Sequence, residues 1–165
     1  MNDERPVTIG HDGSVFADEA LRRGLWFASR LGLPARVLRA WTISNAPRPS
    51  SWTTGSVPPV EDFEAAVREQ FAAQVAPILA EHPDVEVELV VPHGAAGREL
   101  IRASADSQLI VVGTRGLGGF AGLLLGSVSD QVVEHASCDV LVIRRRGGDQ
   151  APPRSLKLDA AISAR

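Results

Sequence analysis

Lysine is nearly absent from this 165-residue chain: of 17 basic residues only Lys157 is a lysine, and the other 16 are arginine. Schiff-base chemistry and the phosphate-gripping lysine of a P-loop are therefore excluded from the body of the domain. Cysteine is equally scarce, with Cys138 alone. One thiol cannot close an internal disulfide, and without a Cys/His cluster there is no structural zinc site, which suits a reducing compartment. No apolar run approaches the ~20 residues of a membrane span. The opening Met1-Asn2-Asp3-Glu4-Arg5-Pro6 lacks the basic start and apolar stretch of a signal peptide, so a cytoplasmic protein is expected. Positive charge is also wanting. A net charge of −3 argues against nucleic acid as the main partner, and the one basic run, Arg144-Arg145-Arg146, reads as a solvated strand end.

What is present begins with an ordinary globular composition, 44% hydrophobic and 22% charged, enough for one domain with a real core. Its glycines are unevenly spread. Gly113, Gly116, Gly118, Gly119, Gly122 and Gly126 crowd into one segment directly after the apolar run Leu109-Ile110-Val111-Val112. A strand thus runs into a glycine loop, and the loop into a helix carrying Val128, Val132 and Val133. Glycines let bare backbone N–H groups converge on an anion, and a helix N-terminus adds its positive dipole end. Ser127 stands where a helix N-cap is expected and adds a hydroxyl.

The loop matches neither common phosphate fingerprint. There is no Gly-Lys-Ser/Thr ending and no Gly-x-Gly-x-x-Gly. Its spacing is Gly-x2-Gly-x9-Gly-Ser, met by Gly113, Gly116, Gly126 and Ser127, and here the chain resembles the ATP-binding branch of the universal stress protein family. The resemblance covers roughly residues 5–145, on the size scale of one domain. Val7-Thr8-Ile9-Gly10-His11-Asp12-Gly13-Ser14 is similar to the family's first strand and the turn that opens its first helix. Val37-Leu38-Arg39-Ala40-Trp41 is similar to its second strand, His93 to Leu100 to the turn before its third helix, and Ser127 to Arg144 to its closing helix and strand. Departures are Asp139, where proline is common, and His11, where a small or apolar residue is usual.

Periodicity orders the pieces. Val7-Thr8-Ile9 begins a short buried strand. Ala17, Leu21, Gly24, Ala28 and Leu31 then recur at helical spacing between a Ser14 cap and a Gly32 stop. Residues 35–42 read as a second strand. Phe63, Val67, Phe71, Val75 and Ile78 form a helical stripe with a kink expected at Pro77. Between them, residues 44–59 are polar and broken and read as a mobile flap. Val85, Val87, Leu89 and Val91 alternate as a third strand. Residues 95–106 are helical, 109–112 form a fourth strand, 127–135 a fourth helix and 140–143 a fifth strand. Alternating strands and helices with right-handed crossovers predict an α/β fold, a five-stranded parallel sheet with helices on both faces. The resemblance implies a three-layer α/β/α, Rossmann-like arrangement related to the adenine nucleotide alpha hydrolases, with strand order 3-2-1-4-5. One domain over residues 1–146 and a disordered tail over 147–165 are expected.

In such sheets ligands sit where the strand order reverses, between strands 1 and 4. The resemblance implies ATP or ADP there, on Gly10, Asp12, Ala40, Val112, Gly113, Arg115, Gly116, Gly126, Ser127 and Val128. It puts the triphosphate on the amides of 113–116 and 126–128, the ribose near Asp12, and the adenine against the ends of strands 1 and 2, read by the Ala40 main chain. Mg2+ would be held mainly through phosphates and water, since the loop offers no carboxylate. Each residue also has a plainer role. Asp12 either meets the nucleotide or braces its own turn. Arg115 either pairs with phosphate or faces water, and Ser127 is first a helix cap. Trp41 either borders the base or packs, whereas Trp26 is expected to pack. His11 beside Asp12 does not make a catalytic dyad, because neighbours on a strand face opposite ways. His82, His93 and His135 read as ordinary surface or loop residues, and Cys138 as a small residue before strand 5.

The functional expectation is a nucleotide-dependent regulatory switch. The competing classes are a slow ATP-hydrolysing enzyme on the same fold and a nucleotide-free dimerisation module. The enzymes of the related fold carry His-x-Gly-His or Ser-Gly-Gly-x-Asp-Ser, and neither motif is present. A homodimer is expected through Val140, Leu141, Val142 and Ile143, an apolar strand at a sheet edge. No membrane partner is expected.

Overall fold

A computed structural model describes residues 5–116 and 125–144. The elements run β1 (Val7–Gly10), α1 (Val15–Leu31), β2 (Ala35–Leu38), α2 (Val60–Leu79), β3 (Val87–Val90), α3 (Ala96–Ser104), β4 (Leu109–Gly113), α4 (Ser127–His135) and β5 (Asp139–Ile143). All strand pairs are parallel and the order is β3-β2-β1-β4-β5. The expected tail at 147–165, the middle of the glycine loop at 117–124, and Lys157 lie outside the described residues.

Strand periodicity explains the layers. Alternate side chains point to opposite faces, and in a parallel sheet both faces are covered, so the strands read as nearly continuous apolar runs. Val7, Ile9, Val37 and Val111 join the core with Leu21 and Leu25 of α1 and Phe63, Val67, Phe71 and Val75 of α2. Leu38, Ile110 and Val112 point the other way, onto Leu100 of α3 and Val132 of α4. Thr8 is buried on β1, and its hydroxyl is matched by Ser107 Oγ at 2.7 Å.

Helix α1 starts and stops as its sequence predicts. Ser14 Oγ accepts the Ala17 N–H at 3.2 Å, and Gly32 closes the helix at φ +65°. The stripe expected on α2 is fully buried, and Pro77 lies inside that helix.

Several local readings are corrected. The N-cap of α4 is Gly126, with no side-chain cap, and Ser127 is the first helical residue. Strand β2 ends at Leu38, and Trp41 makes only an isolated bridge to His93. Trp26 does not pack inward: it is 42% exposed on α1, edge-on to Phe27 with Arg23 and Arg30 over its ring. Trp41 is 1% exposed and belongs to the core, its Nε1–H donating to Val91 O at 2.9 Å. The stretch 44–59 touches α2 at two points: Trp52 packs edge-on against Phe63 at 5.6 Å, and Ser51 donates to Asp62.

Candidate functional site

Strand order reverses at β1, which pairs with β2 on one side and β4 on the other. The two loops leaving β1 and β4 therefore diverge to opposite faces and open a crevice at the carboxyl ends of the strands. Here lies a cavity of about 640 Å3. Gly10, Asp12, Ala40, Val112, Gly113, Arg115, Gly116, Gly126, Ser127 and Val128, the whole set of expected site residues, line it. Leu38, Leu100 and Leu125 contribute apolar wall, and Asn45 brings the stretch after β2 to its rim.

The β1–α1 turn forms one side. Gly13 adopts φ +91°, a backbone region that glycine enters at little cost. Three side chains hold it there. Its N–H donates to His11 Nδ1 at 3.2 Å, its carbonyl accepts from Gln74 Nε2 at 3.1 Å, and the following Ser14 N–H donates to Asp12 Oδ1 at 3.0 Å. Asp12 thus does brace its own turn, while also lining the cavity.

The loop after β4 forms the other side. Thr114 N–H extends the β4–β5 ladder by donating to Ile143 O at 2.9 Å, and Gly126 N–H donates to Thr114 O at 2.7 Å. The two ends of the glycine loop are therefore pinned together. Buried Ser129 adds a further tie, its Oγ lying 2.9 Å from Gly126 O and 3.3 Å from Thr114 O. The Thr114 and Gly126 amides are engaged in this way, whereas the first turn of α4, with Ser127 and Val128, has no side-chain cap.

Close approach accounts for two of the glycines. A Cβ on Gly116 would stand 2.3 Å from Asp12 Oδ2, and one on Gly113 would stand 2.9 Å from Phe16 O. Gly126 is different: its Cβ would make only ordinary contact, 3.5 Å from Arg115 Cα. Nothing among the described residues demands glycine there.

Arg39 and Arg115 line the cavity against the single carboxylate of Asp12 among the described lining residues. Arg39 is half-buried and donates to Gln74 Oε1 at 3.4 Å. Burial lowers its pKa, and the nearby Asp12 charge opposes that shift. Asp12, Gly13, Arg39, Gln70 and Gln74 also border a second, shallower space of about 540 Å3 beside the turn. Among the described residues no cluster of three or more His, Cys, Asp or Glu side chains could cage a metal ion.

Sequence reasoning missed His11 as a structural hub, together with Arg39, Gln74 and Ser129. His11 Nε2 meets Asp18 Oδ1 at 3.0 Å across the first turn of α1, seven residues on. The other three come from elements that converge only on folding. His93 packs on Trp41 at 4.5 Å, and His135 is exposed at the end of α4.

Comparisons with known proteins agree with this architecture. The family model described as "Universal stress protein family" matches residues 4–144. A universal stress protein of Mycolicibacterium smegmatis is 34% identical over 145 residues, covering 86% of this chain and 46% of that protein. The chain thus spans about half the length of the curated relatives it matches. Among solved structures, universal stress protein UspA from Lactobacillus plantarum superposes with a TM-score of 0.67 at 22% identity, over 86% of this chain and 98% of that one. A universal stress protein solved in complex with cAMP superposes with a TM-score of 0.62 at 24% identity, over 84% and 96%. By the match over 4–144 and the shared 3-2-1-4-5 parallel sheet, this chain belongs to the universal stress protein family.

Proposed function

We propose that the chain binds an adenine nucleotide, ATP or ADP, in the 640 Å3 cavity and works as a nucleotide-dependent switch in a stress response. The observation that carries this reading is the convergence of Asp12 and the ends of the glycine loop on one cavity beside an uncapped helix N-terminus. A positive dipole end, two arginines and amides at van der Waals reach suit a polyphosphate. The apolar wall suits a purine, with the Ala40 main chain reading its edge and Asp12 facing the ribose. The cAMP complex of a protein with the same fold supports the ligand class.

Mg2+ would enter with the nucleotide, held through phosphates and water. Two copies would pair through β5, an edge strand whose Val140, Leu141 and Val142 are only partly covered in the single chain. The protein would act in the cytoplasm, with residues 1–146 as its nucleotide-binding domain. Among the described residues no helix is long and apolar enough to cross a membrane.

The test is mass spectrometry of the ligand carried by purified protein, followed by calorimetric titration of the emptied protein with ATP, ADP and GTP. Saturable binding of adenine nucleotides with GTP much weaker is expected. Equal binding of ATP and GTP, or none, would overturn the reading.

A further inference from the structure

The motif does not account for His11, which lines the cavity although its side chain is fully buried. Both ring nitrogens are engaged. The Gly13 amide can only donate, so Nδ1, which receives it at 3.2 Å, carries no proton. The proton then sits on Nε2, which donates to Asp18 Oδ1 at 3.0 Å. One neutral tautomer satisfies both bonds. Asp18 lies one turn into α1, so the imidazole ties that helix to the backbone of the Asp12-Gly13-Ser14 turn. Phe71 of α2 covers the ring at 5.6 Å, and the charged groups around it are Asp18 of α1, Asp12 of the turn and Arg39 after β2.

We propose that His11 is a positioning residue for the nucleotide site: its Nε2–H tautomer, held by Asp18, accepts the Gly13 amide and so fixes the turn that aims the Asp12 carboxylate into the cavity. This rests on the nucleotide reading of the cavity for its effect on binding, but not for its effect on the turn. His11 touches no ligand, since its side chain has no exposed surface. Without the Nδ1 acceptor the Gly13 N–H would lose its partner, leaving φ +91° to the Gln74 bond on the carbonyl side and the Asp12–Ser14 bond across the turn. Asp12 precedes Gly13 directly, so its carboxylate, whose Oδ1 accepts the Ser14 amide at 3.0 Å, would sit on a less firmly held turn.

The two halves of the ring can be replaced separately. In His11→Asn, Oδ1 takes the place of Nδ1 and can still accept the Gly13 amide, whereas in His11→Gln, Nε2 takes the place of the ring Nε2 and keeps only the bond to Asp18. Two measurements are made on the full chain. Hydrogen exchange of the Gly13 amide in the nucleotide-free protein is expected to be slow in wild type and His11→Asn and at least ~10-fold faster in His11→Gln, the factor that one hydrogen bond supplies. ATP titration is expected to show His11→Gln weakened ~10-fold and His11→Asn weakened less than ~3-fold. Nitrogen-15 shifts of the wild-type ring should show Nδ1 bare and Nε2 protonated. Equal Gly13 exchange in wild type and His11→Gln, or a protonated Nδ1, would overturn the proposal whether or not ATP binds. Absence of ATP binding in wild type would sink the nucleotide reading, while the exchange comparison would still decide the role of His11 in the turn. Should His11→Gln fail to fold, Asp18→Asn supplies the second variant. It removes the charge that holds the tautomer, and is expected to speed Gly13 exchange in a protein that keeps its histidine; unchanged exchange would count against the proposal.

Discussion

Gly116 passes so close to Asp12 that a Cβ on its backbone would stand 2.3 Å from the carboxylate Oδ2. The loop after β4 and the turn after β1 therefore meet at the mouth of the cavity, and a side chain at residue 116 must push the Asp12 carboxylate aside. Because that carboxylate is a side-chain end, the fold can yield locally. Gly116→Val is expected to keep its melting temperature within a few degrees of wild type and to lose ATP affinity by at least ~10-fold. Gly126→Ala is the companion, since among the described residues its methyl meets only ordinary contacts. Any loss of affinity there reports the approach of the ligand to α4. Unchanged calorimetric affinity in Gly116→Val would remove the nucleotide assignment.

Gly24 makes a contrasting case inside α1. A Cβ there would lie 2.5 Å from Ile9 Cγ1, and Ile9 is fully buried. Alanine would gain about 1 kcal/mol of helix propensity, against about 1–3 kcal/mol for overpacking a closed core. At 2.5 Å overpacking prevails. Gly24→Ala is expected to lose about 1 kcal/mol in urea unfolding with nucleotide affinity unchanged; a gain in stability would contradict the packing described.

Stability should depend on pH through His11. Burial lowers its pKa below the ordinary imidazole value, with Asp18 opposing the shift. The folded protein then binds fewer protons than the unfolded chain, so stability is fully present above about pH 6.5 and declines as pH falls through the folded value. Urea midpoints of wild type should be flat from pH 8 to 7 and drop below about 6.5. His11→Asn, which cannot take up the proton, should drop less. A wild-type midpoint that rises on acidification across this window would show the sign to be wrong.

Charge placed at the edge strand should act on assembly. Val142 lies in β5, apolar and half-buried in the single chain. Val142→Asp is expected to convert a dimer to monomer, or to aggregate, with β4 and its loop intact. A wild-type monomer in sedimentation at micromolar concentration would dispose of the dimer.

Turnover is expected to be slow or absent. Hydrolysis needs a base aimed at water in line with the γ-phosphate, yet Asp12, the one acid among the described lining residues, has Oδ1 engaged by the Ser14 amide. A steady-state rate of roughly 1 per second or above would refute this. If Asp12→Ala abolished such a rate while sparing ATP affinity, the enzyme reading would replace the switch.

Most of the architecture was legible along the chain because its signals are short-range. The cap at Ser14, the stop at Gly32 and the stripe Phe63, Val67, Phe71, Val75, Ile78 are set within a few turns of their own helices. The spacing of Gly113, Gly116, Gly126 and Ser127 picked out residues of the cavity wall, and at Gly113 and Gly116 the glycine marks where backbone comes close to something. Ser127 was misread by one position because the cap is decided by backbone direction at Gly126, which is itself tied to Thr114.

The order of elements, the limits of α1 and the glycine spacing were thus determined by the amino-acid sequence alone, through local propensity and periodicity. Which tryptophan is buried was not. Trp41 enters the core because the chain beyond β2 runs beside His93, and Trp26 faces water because α1 turns its other side to the sheet. The meeting of Gly116 with Asp12, and the clamp of His11 and Gln74 on Gly13, were decided only by the tertiary structure. Gly116 and Gln74 are far from the turn in the chain, and the bond of His11 to Gly13, though local, has its ring held by Asp18 of α1; strand order and helix packing bring these groups to one end of the sheet.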